Sequence, residues 1–142
     1  MYKRQREDRA LLSRAIEEAL RWESPVQFIS RESLRATRIG DVEVPARAHV
    51  SLAIGSANRD ETVFDNPDRF DLRREGVAHL AFADGPHRCL GEHLARLETT
   101  VAMEAILDRL PGLRLKPGDT DPHVQGWAFR SPGRLPVAFD VA

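Results

Sequence analysis

The chain has 142 residues, 42% hydrophobic content and a formal net charge of −1, from 21 basic and 22 acidic side chains. That length and composition suit one globular unit with a modest core, and the balanced charge argues against a nucleic-acid partner or an anionic membrane surface. A single cysteine excludes an internal disulfide framework and leaves Cys89 available for chemistry.

The first residues, from Met1 to Arg9, are crowded with charge and lead into no apolar stretch of the signal-peptide kind. The longest uncharged run, 48–58, falls far short of the roughly 20 apolar residues that cross a bilayer. A cytoplasmic protein with no membrane partner is therefore expected. Next, Leu11, Leu12, Ala15, Ile16, Ala19, Leu20 and Trp22 recur at helical spacing until Ser24-Pro25 stops them, which predicts a helix over 11–22. Over 26–44 the texture changes to short alternating pieces with Gly40-Asp41 as a turn signal, so small antiparallel strands are expected. The stretch 58–85 is rich in charge, with Asn66-Pro67 and Gly76. It also holds Phe64, Phe70 and Phe82, the composition of an ordered irregular segment.

After Cys89, the residues Leu90, Leu94, Leu97, Val101, Ala105 and Leu107/Leu110 lay an apolar stripe along a predicted helix of roughly twenty residues, ended by Pro111-Gly112. From Leu113 onward, Lys116-Pro117-Gly118, Ser131-Pro132-Gly133 and the alternation of Leu135, Val137 and Phe139 predict hairpins.

The segment that carries chemistry is Phe82-Ala-Asp-Gly-Pro-His-Arg-Cys-Leu-Gly91, an irregular loop delivering a cysteine to the start of the long helix. Free backbone N–H groups and the positive end of the helix dipole favour a thiolate there, and a thiolate ligates metal. Gly85 lets the loop turn sharply, Gly91 removes a side chain where the helix would lie against a flat cofactor, and Phe82 can shield the sulfur. A lone cysteine is more often a small buried hydrophobe. Typical residue frequencies, however, make Phe-x-x-Gly-x-His-x-Cys-x-Gly a chance event on the order of one in ten million per starting position. A zinc site from His87, Cys89 and His93 would lack the second ligand pair that structural zinc commonly has. A nucleophilic cysteine could take His87 as its base, but no oxyanion or substrate site accompanies it.

The loop resembles the haem-binding signature of cytochromes P450, whose cysteine thiolate is the axial ligand of the iron. Ala83 stands where many members carry glycine. Ile16-Glu-Glu-Ala-Leu-Arg-Trp-Glu-Ser-Pro25 resembles the family's Glu-x-x-Arg helix, and Pro67-Asp-Arg-Phe70 resembles the later motif that adds a third member. The resemblance implies an α+β, mainly helical fold: the C-terminal portion of the P450 fold, as a single partial domain over 1–142. It implies haem b as cofactor, with Cys89 on the iron, His87 and Arg31 on the propionates, and Phe82, Gly85 and Gly91 shaping the loop. Glu18, Arg21 and Arg69 would form a structural network. Residues 26–29 and 125–127 map to substrate-contacting segments, while Arg88 and Arg96 would face an acidic electron donor.

Full-length relatives insert one oxygen atom into an organic substrate, with electrons from a ferredoxin or reductase. The helix that carries their acid and alcohol for proton delivery has no counterpart here, because Asp119-Thr120 falls between Pro117-Gly118 and Pro122. Two readings stay open. One is a monooxygenase segment completed by a separate N-terminal segment. The other is a truncated, non-catalytic haem-binding or interaction module, or a haem-free remnant.

Overall fold

A computed structural model describes residues 8–75, 78–118 and 122–141. Gly76 and the dipeptide Asp119-Thr120 lie outside the described residues.

The first helix, α1, runs Leu11–Trp22 as the periodicity predicts. Ser24 caps its end by donating its hydroxyl to the Leu20 carbonyl at 2.8 Å, and Pro25 cannot continue the helical bonding. The helix is buried on two sides with different chemistry. Leu12 and Ile16 pack with Leu107 of the long helix α3 (Glu92–Arg109), and Leu20 and Met103 close the cluster. On the other side, Glu18 and Arg21 are buried against the irregular segment that follows the strands.

Between these helices the chain makes two nested antiparallel pairs. Strand β1 (Phe28–Glu32) pairs with β4 (His49–Ala53), Ser30 opposite Ser51. The hairpin of β2 (Thr37–Ile39) and β3 (Val42–Val44) is enclosed between them and turns at Gly40, φ 57°. The run 48–58 thus divides into a strand and the single-turn helix α2 (Ile54–Ala57). The C-terminal segment repeats the plan. β5 (Arg114–Leu115) pairs with β8 (Val137–Ala138), and β6 (Val124–Gln125) pairs with β7 (Ser131–Pro132). This unit docks on the strand leaving α1 through a Val26–Phe129 bridge, and Gln27 N–H donates to the Ala128 carbonyl at 2.8 Å.

The stripe predicted on α3 is corrected in one respect. Leu107 is fully buried, but Leu90, Leu94, Leu97 and Val101 are exposed, Leu90 at 99%. The helix meets α1 with its other side, along Met103 and Leu107, and the stripe is left largely exposed. Among the described residues no helix is long and apolar enough to cross a membrane.

Candidate functional site

The irregular segment reaches Cys89 through a short 3-10 turn, Gly85–His87. Gly85 has φ +76°, a conformation that costs a glycine little and an L side chain more. Cys89 lies one turn before α3 rather than on its first residue. The helix is capped at Gly91, and the Glu92 N–H reaches back to the Cys89 carbonyl at 3.4 Å. The Cys89 N–H donates to the Phe82 carbonyl at 2.9 Å, which closes the loop on itself and fixes the cysteine backbone. A Cβ built on Gly91 would stand 4.0 Å from Cys89 Sγ, at ordinary van der Waals contact with the sulfur.

Cys89 is exposed, and it opens on a cavity of about 410 Å³. Val26, Ile29, Ala81 and Phe82 give this cavity apolar walls, while Arg31 and His87 are its polar members besides the cysteine. A flat apolar group with a soft metal at its centre and carboxylates at its edge matches that donor set: sulfur for the metal, apolar walls for the ring, two basic side chains for the carboxylates. Arg31 at present donates to the Ser30 carbonyl at 2.8 Å, a bond between neighbours that leaves the rest of its fork available. Of the segments mapped to substrate, Val26 and Ile29 line the cavity. Trp127 instead stacks on Phe28, ring centroids 5.0 Å apart. Among the described residues, no three His, Cys, Asp or Glu side chains gather as a metal-binding group.

Behind the loop stands the buried network. Arg21 makes five hydrogen bonds: two to the Glu18 carboxylate at 2.8 and 2.9 Å, and three to the carbonyls of Asn58, Pro67 and Arg69. Burial would raise the Glu18 pKa, but Arg21, the Asp71 N–H and Arg74 together hold it below the ordinary carboxylate value. Arg69 corrects the expectation. Its side chain is exposed and it contributes only its carbonyl, because the tight turn closed by its N–H on the Asn66 carbonyl presents backbone to Arg21. The second arginine is Arg74, whose Nε lies 3.3 Å from Glu18 and whose other nitrogens donate to the carbonyls of Asp65, Asn66 and Arg69. Nothing in Arg73-Arg74 as a sequence distinguishes it from an exposed pair.

Asn58, fully buried, was also missed as a site-positioning residue. Its amide donates to Ser24 Oγ at 2.7 Å, and its side-chain oxygen accepts from the Leu80 N–H at 2.7 Å, two residues before Phe82. One residue thus ties the end of α1 to the entrance of the cysteine loop.

Arg88 and Arg96, expected to offer charge to a partner, are already engaged. Arg88 Nε lies 2.9 Å from both oxygens of Glu92. Arg96 binds Glu17 through two nitrogens, at 2.6 and 3.0 Å. Each of the two guanidiniums is thus paired with a carboxylate of the chain itself.

Comparisons with known proteins converge on one family. Residues 3–131 match the family model described as Cytochrome P450. The chain is 44% identical over 137 residues to cytochrome P450 107B1 of Saccharopolyspora erythraea, covering 93% of this chain and 33% of that protein. The crystal structure of P450BioI with an acyl carrier protein ligated to hexadec-9Z-enoic acid superposes with a TM-score of 0.88 at 39% identity, covering 96% of this chain and 35% of the other. That of CYP109E1 from Bacillus megaterium with testosterone gives 0.93 at 31% identity, covering 99% and 39%. The chain therefore spans about a third of the length of the curated relatives it matches.

Proposed function

This chain belongs to the cytochrome P450 family, whose cofactor is haem, and on that premise we propose that it supplies the proximal, cysteine-bearing wall of a haem-thiolate monooxygenase. The observation that carries the reading is the single cavity on which Cys89, His87, Arg31 and Phe82 converge. Cys89 would hold the iron, Arg31 and His87 the two propionates, and Phe82 would keep water from the sulfur. Gly85 sets the turn and Gly91 leaves room beside the sulfur. Glu18, Arg21 and Arg74 brace the segment leading into the loop.

Bound haem supplies the activation of dioxygen from which such enzymes transfer one oxygen atom to an organic substrate. The residues of this chain would fix the group and set its electronic environment. A ferredoxin or reductase would deliver electrons.

The exposed stripe on α3 favours a second, narrower reading for the 142 residues by themselves. Three large apolar side chains on one helical face, Leu94, Leu97 and Val101, with Leu90 just before the helix, call for a covering element, so turnover would require the remaining part of the P450 fold. In that reading this chain alone is a non-catalytic haem-binding module.

The first test is reconstitution of the purified chain with haem, followed by reduction and addition of carbon monoxide, beside a Cys89→Ala control. Thiolate ligation predicts a Soret band at about 450 nm that the control lacks. A band at about 420 nm in both proteins would show that these 142 residues alone do not hold the iron through a Cys89 thiolate. Supplying the missing part of the fold and assaying substrate oxidation then separates the enzyme from the module.

A further inference from the structure

Three side chains outside the cavity converge on the back of the cysteine loop. Arg96 of α3 grips Glu17 of α1 with both oxygens engaged, and its Nη1 lies 3.5 Å from buried Glu92. Its guanidinium carbon sits 4.6 Å above the centroid of the Phe82 ring. On the chain side of the same ring, His79 bonds Glu17 at 3.1 Å through Nε2, while its Nδ1 accepts the Ala81 N–H at 3.2 Å. These bonds fix the tautomer: Nε2 carries the proton and donates it to Glu17. Phe82 is thus held from above by a cation and from its preceding backbone by an imidazole, both anchored on Glu17. Its carbonyl in turn holds the Cys89 N–H.

We propose that Arg96 is a positioning residue for the cysteine ligand: clamped by Glu17 and Glu92, it fixes the plane of Phe82, and through the Phe82 carbonyl it fixes Cys89. The inference rests on the haem-thiolate reading of the cavity. An exposed helix-to-helix ion pair would need none of this geometry. Arg96 instead satisfies a two-point grip, a second carboxylate and an aromatic face at once, with only 29% of its side chain exposed. A shift of Cys89 would alter the electronic environment of the group it holds, so the potential and the spectrum both report on where the ligand stands.

The experiment uses the full chain reconstituted with haem, and it reads both the reduction potential and the ferrous carbon monoxide spectrum. Arg96→Met is expected to shift the potential away from its wild-type value and to convert part of the long-wavelength Soret band into the short-wavelength one. Arg96→Lys, which keeps the charge and the pairing with Glu17, is expected to recover most of both. It also remains readable if Arg96→Met loses its helical circular dichroism.

Arg9→Gln is the control. It removes the other ion pair between the two helical segments, Arg9 with Asp108, without touching Phe82, and should leave potential and spectrum where they were. Wild-type values in the Arg96 variants, or an equal shift in Arg9→Gln, would reduce Arg96 to a structural tie and overturn the inference alone. Failure of the wild-type chain to give the long-wavelength band would overturn the haem-thiolate reading and this inference with it.

Discussion

Ala83 has φ +60°, in the left-handed region where an L side chain crowds its own carbonyl at a cost of roughly 1–2 kcal/mol. It turns the chain immediately after Phe82, and its N–H donates to the Leu80 carbonyl at 2.8 Å, so the conformation is imposed by the loop rather than chosen by the residue. Its anomaly was legible in the sequence as an alanine where glycine is common; the strain was not, because φ follows from closing the loop on Cys89. Ala83→Gly should relieve the crowding and give back part of the gain as unfolded-chain entropy, a net stabilisation of about 0.5–1 kcal/mol. Chemical unfolding would read it as a higher midpoint with unchanged slope. A lower midpoint would mean that the alanine methyl group packs well enough to outweigh its strain. The same scale explains why Arg74 escaped notice and Arg69 did not. The Pro67-Asp-Arg-Phe70 motif marks a turn whose carbonyls matter, whereas the guanidinium that completes the network comes from five residues further on.

At the scale of elements, periodicity located both main helices, since α1 and α3 carry apolar residues at 3.6-residue spacing and end in proline signals. Periodicity alone could not say which face of α3 is used. Leu94, Leu97 and Val101 look like a core stripe in sequence, yet Leu107 and Met103 make the contact with Leu12 and Ile16. The nesting of β2–β3 inside β1–β4 was likewise hidden, because short alternating strands declare their existence but not their partners. The faces differ in energy. Leu107→Ala removes a fully buried side chain from the small cluster joining the helices and should cost about 2–5 kcal/mol. Leu97→Ala, at 60% exposure, should lie within about 0.5 kcal/mol of wild type. Thermal unfolding of the two variants side by side decides it. Comparable losses would mean that Leu97 is buried in solution, against an element that covers the stripe.

Over the whole molecule, the apolar cluster of Leu12, Ile16 and Leu107 is small, and much of what joins α1, the irregular segment and α3 is charge. Glu18 binds the irregular segment through Arg21 and Arg74, Glu17 binds α3 through Arg96, and Glu92 holds Arg88 and Arg96. The Glu17 pKa is lowered chiefly by its Arg96 bond, that of Glu92 chiefly by Arg88, and Glu18 is held low by its three donors despite burial. His79 is shifted the same way, because burial disfavours its charged form more than Glu17 favours it. For all four groups the unfolded chain binds protons more readily than the folded one, so stability rises with pH across their titrations. The His79 contribution is complete above about pH 6.5, its ordinary value, and fades as pH falls below it. The carboxylate contributions are complete above their ordinary 4.5 and are lost as pH falls through their lowered folded values. Acid should therefore destabilise the chain in two stages, a shallow loss starting near neutrality and a steep one below pH 4.5. His79→Gln should abolish the shallow stage while sparing the steep one. Equilibrium unfolding measured at intervals across that range reads both stages, and a flat profile between pH 6.5 and 4.5 in the wild type would show that His79 keeps its ordinary proton affinity when folded.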